Sequence, residues 1–411
     1  MGGQGKEFPL GQMSNSARPF GARRKPAILL AAVAILALAI PAVADAKKGK
    51  KKGGPKVTVM TRNVYLGADL TPAIEAENLG EAIGAAGGIA AELDSTKFPE
   101  RAVLLADEIK KSKADLVGLQ EVAKWTDQTP SDGGSPPISP IGEPATNPRY
   151  DFLALLEQEL ANVNAKYKVI GVQEEFEAEL PADTDGNPTN GLLGADEDIR
   201  LQMRDVILAR KGSKVDTVKV EQGNYTTRFE TEVGGLPVAA DRGWLSVEAK
   251  VGSKGKGKNA SASKKGGSSK FRFINTHLEA FGDPTIREAQ AQELIAGPAD
   301  TNKQVILVGD LNSGLPGTHS SGSYQFQPGD PLAFQAFVDA GFKDNGARQS
   351  CCDDPADPNP VFDHTVDHVL TKKGLKTKKA FVTGTDPSVR TPSGLLAADH
   401  GGVVSKLQLK K

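Results

Sequence analysis

The stretch Gln304–Asn312, QVILVGDLN, constrains this chain more than any other. Val305, Ile306, Leu307 and Val308 form the continuous apolar run expected of a strand buried on both faces. The run stops at Gly309 and then delivers Asp310 and Asn312, two positions apart. Strand alternation sends both side chains to one side, roughly 6–7 Å apart along the backbone. A surface turn would also accept Asp and Asn, so the reading of a working carboxylate and amide depends on what the rest of the chain supplies.

The 411 residues, 38% hydrophobic and 25% charged with 45 Gly and 26 Pro, suffice for one large or two modest cores with generous loops. Aromatic residues make up 5%, too few for an evident base-stacking surface. Arg23, Arg24 and Lys25 precede an apolar run from Ala27 to Ile40, broken by Pro41, and Ala42, Ala44 and Ala46 offer A-x-A cleavage sites. The run is short for a membrane-spanning helix. Residues 1–46 therefore read as a signal peptide and the protein as secreted. Cleavage there moves the formal charge from -1 to -4, whereas nucleic-acid binders are often basic. Basic charge is instead local. A linker over 47–56 holds six lysines, and Lys250–Lys270 holds seven with no acid among them. Such Gly/Ser/Lys tracts read as solvated loops; the alternative is an arm that attracts phosphate. The adjacent Cys351 and Cys352 cannot staple distant segments, so they form either a local ring or free thiols. Zinc would require more ligands at suitable spacing.

Residues 57–411 read as one domain of strands interleaved with a few helices, with loop insertions near 126–149, 180–198 and 252–270. That order implies an α/β chain with mixed sheets. Strands are expected at Lys56–Asn63, Asp115–Val122, Tyr167–Gln173, Asp205–Arg210, Val215–Gln222, Arg242–Val251, Phe271–His277, Thr365–Leu370, Ala380–Thr385 and Gly402–Gln408, and helices at Glu75–Ala91, Phe98–Lys111, Tyr150–Ala161, Pro284–Ala296 and Pro331–Ala340. Several of these strands deliver polar residues at their ends: Asn63, Glu121, His277, and Asp310 with Asn312. Asp399 and His400 precede the last strand, and Asp367 occupies an apolar position within TVDHVL. Any one of these is unremarkable; six in one chain are not.

TRNVYLG, LVGLQEV, FINTHLE, ILVGDLN, TVDHVL and ADHGGVV, in that order, resemble the endonuclease/exonuclease/phosphatase (DNase I-like) superfamily, and the Gly-Ala-Asp after TRNVYL and the Cys pair resemble secreted bacterial members. The resemblance implies a two-sheet β-sandwich flanked by helices, a four-layer α/β/β/α architecture with the site at one edge. It also implies roles. Glu121 would be the principal ligand of a divalent ion, Mg²⁺ first with Mn²⁺ or Ca²⁺ as alternatives, and Asn63 and Asp399 would complete or support its shell. Asp310 would orient or deprotonate the attacking water, and Asn312 would hold phosphate or base in position. His277 would donate to a phosphate oxygen. His400, oriented by Asp367, would be a second donor or a general acid/base. Both Asp310 and His400 qualify as the base. Thr365-Val366-Asp367 departs from the family's Arg-Ile-Asp triplet, which puts one arginine contact in doubt.

Arg204 and Asp205, before VILAR, and Arg287, after NTHLE, are further candidates for the site, though ordinary ion pairs beside a strand and on a helix explain them better. His368 alternates away from Asp367, His364 is close enough in sequence to reach the cleft, and His319 sits in a Gly/Ser loop. The expected activity is hydrolysis of a phosphodiester by in-line attack of water. DNA or RNA is the first-choice substrate because of the lysine tracts. A phospholipid, as in sphingomyelinase-like relatives, comes second because no exposed apolar hairpin that would dock on a membrane is evident in the sequence, and small phosphoesters such as nucleotides or inositol phosphates come third. A non-catalytic binding module would lack at least one central residue, and none is missing.

Overall fold

The structure, a computed structural model, describes residues 54–252, 269–314 and 330–410. The signal peptide, most of the basic linker, the middle of the Lys250–Lys270 tract and His319 lie outside them. The chain begins with β1 (Lys56–Asn63), α1 (Thr71–Ile74), α2 (Leu79–Ser95), α3 (Phe98–Ser112), β2 (Leu116–Gln120), β3 (Lys124–Gln128), β4 (Asn147–Asp151) and α4 (Phe152–Asn162). The middle supplies β5 (Tyr167–Ala182), β6 (Glu197–Arg210), β7 (Val215–Asn224), β8 (Phe229–Val233), β9 (Leu236–Ala240), β10 (Gly243–Val251) and β11 (Ser269–His277). It closes with α5 (Pro284–Ala296), β12 (Gln304–Asp310), α6 (Leu332–Asp339), β13 (Lys343–Asp344), β14 (Asp367–Lys372), β15 (Lys376–Thr383) and β16 (Gly402–Gln408).

These strands form two main sheets. One has eight strands in the order β15-β16-β1-β2-β6-β3-β4, with β5 also pairing β6; the other has six, β13-β14-β12-β11-β10-β7. β8 and β9 pair only with each other. The period-two rule explains the layering. In β12, Ile306 and Val308 enter the core between the sheets with Val59, Leu116 and Phe273, while Val305 and Leu307 turn outward to Leu294 and Phe337 of α5 and α6. On the far side, Met60, Val117 and Leu119 pack on α2, α3 and α4. The result is the four-layer sandwich flanked by helices. Truncating one of these fully buried side chains, as in Ile306→Ala, costs about 2–5 kcal/mol.

Local chemistry starts the helices. Asn78 caps α2 by accepting from Glu81 N, and Glu81 Oε2 accepts in turn from Glu77 N. Asp151 caps α4, and Asp283 caps α5 ahead of Pro284.

Three expectations change. β5 runs to Ala182 rather than Gln173, and β6 starts at Glu197 rather than Asp205. The insertion near 126–149 carries parts of β3 and β4. A hairpin, β8–β9, also occupies the unassigned stretch before β10.

Beneath the site the sheets are joined by a buried polar seam. Thr61 Oγ1 donates to Gln120 Oε1 at 3.1 Å, Gln120 Nε2 to Asn275 Oδ1 at 2.6 Å, and Asn275 Nδ2 to Leu119 O at 3.0 Å. Gly118 permits the close approach: a Cβ there would meet Asn275 Oδ1 at 2.2 Å and Val308 Cγ2 at 2.6 Å.

Candidate active site

Strand register assembles the site. In the second sheet His277 lies opposite Asp310 and Asp310 opposite Asp367, so three adjacent strands set these residues abreast. In the first sheet Asn63 pairs with Gln120, which places Glu121 just past the end of β2. Glu121 and Asn312 have φ of 58° and 44°, in the left-handed region that non-glycine residues adopt uncommonly. β12 therefore ends at Asp310, and Asn312 turns back instead of continuing the alternation. Its N–H bonds Asp310 Oδ1 at 2.9 Å, and its Nδ2 lies 2.9 Å from Leu278 O and 3.1 Å from His277 Nε2.

His400 is held from both sides. Its Nδ1 lies 2.9 Å from Asp367 Oδ2, which also accepts from Ser350 Oγ at 2.7 Å, and its Nε2 lies 3.6 Å from Asp310 Oδ2. Its backbone carbonyl accepts from buried Arg62, which is anchored by Glu108 at 3.2 Å. Burial would lower the His400 pKa, but Asp367, Asp399 and Asp310 outweigh it and raise it well above the ordinary histidine value. The three carboxylates thus favour the charged form of the His400 ring. Burial, then the like charge of Asp367, raises the Asp310 carboxyl against the pull of His400.

Asn63 bridges the two halves. Its Nδ2 donates to Glu121 Oε1 at 2.8 Å and to Asp310 Oδ2 at 3.1 Å, while its own oxygen accepts from Tyr65 N at 2.9 Å. Asn63 accordingly turns its nitrogen toward the two carboxylates. Glu121 Oε2 accepts from Leu66 N at 2.7 Å. Asp399 Oδ1 is buried with no hydrogen-bond partner, and its carboxyl is pushed up to about 7 by burial, with Glu121 adding to the effect against His400. A buried, unpartnered oxygen beside a second carboxylate is a donor set suited to a hard divalent cation. Asp310, Asp367 and His400 also bring ligand atoms within 4.8 Å of one another, with His400 Nδ1 already engaged by Asp367.

His277 is tuned the opposite way. Burial, then Arg242 and His400, holds it well below the ordinary histidine value. Arg242 Nη1 lies 3.1 Å from His277 Nδ1; because a guanidinium only donates, Nδ1 accepts and the ring proton sits on Nε2, which leaves the Asn312 amide nitrogen bonded to Leu278 O and not to the ring. Nε2 faces the centre, 3.7 Å from Asp310 Oδ2 and 3.9 Å from Glu121 Oε1. Arg242 is held by Glu279 at 3.4 Å and Glu175 at 3.6 Å.

Sequence reasoning missed Arg242, Glu175, Glu279 and Ser350; the legible signal was charge within buried strand and loop positions. Cys351 and Cys352 form a disulfide against the site, with sulfurs 3.6 and 3.7 Å from His400 Nε2. Arg204 bonds Asp151 and two backbone carbonyls, Arg287 bonds Asn312 O and Asp330, and His368 is packed on Phe334 and bonds Ser313 O. His364 bridges its backbone to Cys351. Asp205 is buried behind the site, raised well above the carboxylate range by burial and by Glu175.

The chain is similar to several solved proteins of low sequence identity. An endonuclease/exonuclease/phosphatase family protein from Bacteroides thetaiotaomicron shares 16% identity at a TM-score of 0.46, covering 87% of this chain and 99% of that one. A humanized D. rerio TDP2 shares 13% at 0.45, with 86% and 99% covered. A Bacteroides thetaiotaomicron mannosyl-6-phosphatase shares 16% at 0.43, with 85% and 99% covered. No curated protein matches the sequence. The model of the Endonuclease/Exonuclease/phosphatase family, by contrast, matches residues 63–393, a span that opens at Asn63 and takes in Glu121, His277, Asp310, Asn312 and Asp367, so this chain belongs to that family of phosphate-ester hydrolases.

Proposed function

We propose that the protein is a secreted, divalent-metal-dependent phosphodiesterase in which water attacks phosphorus in line. The observation that carries this reading is the position of Asp310 Oδ2, 3.1 Å from the Asn63 amide and 3.6 Å from His400 Nε2. A carboxylate whose affinity for protons is raised, fixed in this way, accepts the proton of the attacking water. As the ester P–O bond breaks, the His400 imidazolium protonates the leaving oxygen, and Asp367 stabilises and orients its ring. Neutral His277 donates from Nε2 to a non-bridging oxygen, where charge builds in the transition state. Glu121 and Asp399 would hold the divalent ion, Mg²⁺ in this reading, which when bound neutralises phosphate charge.

Nucleic acid is the substrate favoured by the lysine tracts. A lipid-like phosphodiester is favoured by a different observation: the cleft beside the cluster is walled largely by apolar side chains. Export rests on residues 1–46, and among the described residues no helix is long and apolar enough to cross a membrane.

The test is hydrolysis of bis-p-nitrophenyl phosphate by the mature chain with EDTA and with Mg²⁺ restored. Turnover that survives chelation overturns the metal-dependent reading. N-terminal sequencing of the protein recovered from culture medium tests the leader.

A further inference from the structure

The catalytic cluster occupies one end of a cavity of about 590 Å³, a volume typical of small-molecule sites. The same cavity is lined by His277, Asp310 and His400 at that end and by Ala86 and Ile89 of α2, Leu180 and Ile138 elsewhere. Three alternating triplets build its walls. Phe176, Ala178 and Leu180 of β5 lie on the cavity face beside Ile199, Leu201 and Met203 of β6, with Ala178 opposite Leu201 and Leu180 opposite Ile199. Phe229, Thr231 and Val233 of β8 supply the third, while Glu230 and Glu232 between them are exposed.

A cleft of this size walled by aliphatic groups gains by taking up an apolar occupant, because burial removes apolar surface from water. Several lining residues keep measurable exposure, including Leu180 at 8% and Ile89 at 6%, so the space is open to solvent. Small residues such as Ala86, Ala178 and Ala240 hold it open.

We propose that this cavity binds an aliphatic chain on the substrate, making the preferred substrate an amphiphilic phosphodiester whose phosphate lies at His277, Asp310 and His400. The inference rests on the hydrolase reading of that cluster, and continuity of one cavity with the cluster commits the occupant to a group attached to the phosphate.

The experiment uses p-nitrophenyl alkyl phosphodiesters with ethyl, hexyl and dodecyl chains, kept monomeric, on the mature enzyme with Mg²⁺. Each buried methylene contributes up to about fourfold, so kcat/KM should rise at least tenfold from ethyl to hexyl. Ala178→Phe, and independently Ala240→Phe, should cut the hexyl-to-ethyl ratio at least tenfold, with folding checked by circular dichroism. Calorimetric binding of dodecyl phosphate to the metal-free protein gives a readout without turnover. It should show a negative heat-capacity change that Ala178→Phe abolishes. Turnover independent of chain length, or DNA cleaved faster than every ester and equally well by Ala178→Phe, overturns the inference and leaves the hydrolase reading intact. Dodecyl phosphate binding with no turnover of any ester sustains the cavity assignment and removes the hydrolase reading.

Discussion

Asp367 and His400 form an ion pair at the catalytic edge, 2.9 Å from Oδ2 to Nδ1, with both side chains buried. Because the folded-state pKa of His400 is raised, the pair contributes stability that is whole below the unfolded histidine value and lost as pH rises through the folded one. Asp367→Asn should therefore lower stability more at about pH 6 than at about pH 9, and should reduce kcat by about 10²–10⁴-fold. Urea melts at the two pH values and NMR titration of His400 check this. An unmoved His400 pKa would remove Asp367 as its partner.

Arg242 should matter in the opposite sense. His277 is held low, so protonation of the unfolded chain costs stability as pH falls below the ordinary histidine value. Arg242→Gln removes the positive charge beside Nδ1, and the His277 pKa should rise. It also strands Glu175 and Glu279 in the interior at a cost of about 3–5 kcal/mol. NMR titration of His277 and denaturant midpoints measure the two effects separately.

The carboxylates proposed to hold the metal make a further prediction. Asp399, raised to about 7, favours the folded metal-free protein while protonated, a contribution lost as pH rises through that value. In EDTA, stability should decline between about pH 4 and pH 7, and saturating Mg²⁺ should restore about 2.7 kcal/mol at a hundredfold excess over Kd. Asp399→Asn should flatten the decline in EDTA and weaken the Mg²⁺ response. Thermal melts across pH, with and without Mg²⁺, give both slopes.

The seam between the sheets is tested at Gly118. Gly118→Ala forces Asn275 and Val308 to give way and should cost about 1–3 kcal/mol. Asn275→Ala strands Gln120 and the Leu119 carbonyl at a similar cost. The two changes should not add, because both act on one contact; additivity within about 0.5 kcal/mol in a double-mutant cycle would separate them.

How far the sequence could be read follows from what each element buries. Lys56–Asn63 and Gly402–Gln408 are strands with the boundaries their alternation implies, because one face of each meets the inter-sheet core. The full length of β5 is hidden in the sequence because Glu174, Glu175, Glu177 and Glu179 obscure the alternation of Phe176, Ala178 and Leu180, and the pairing with β6 that carries the strand on to Ala182 is visible only in three dimensions. The β8–β9 hairpin had a legible signal in two alternating runs around Gly234-Gly235. Both glycines take positive φ, 59° and 83°, as a two-residue hairpin turn requires. At the site, residue types marked Asp310, His277 and His400, whereas Arg242 and Ser350 act through side-chain reach that spacing does not encode.

The β8–β9 hairpin pairs with neither main sheet; its turn is pinned by Gly234 N to Ala76 O at 3.0 Å. The residues that would cleave the ester belong to sheet edges, whose registers cannot shift without dismantling the sandwich. The cavity wall facing them belongs in part to an appendage that can be lengthened, shortened or exchanged without disturbing any ladder of the main sheets. Selectivity can therefore diverge on this scaffold while the bond-breaking machinery stays fixed, and a transplanted hairpin is the natural unit for redirecting the enzyme to another ester.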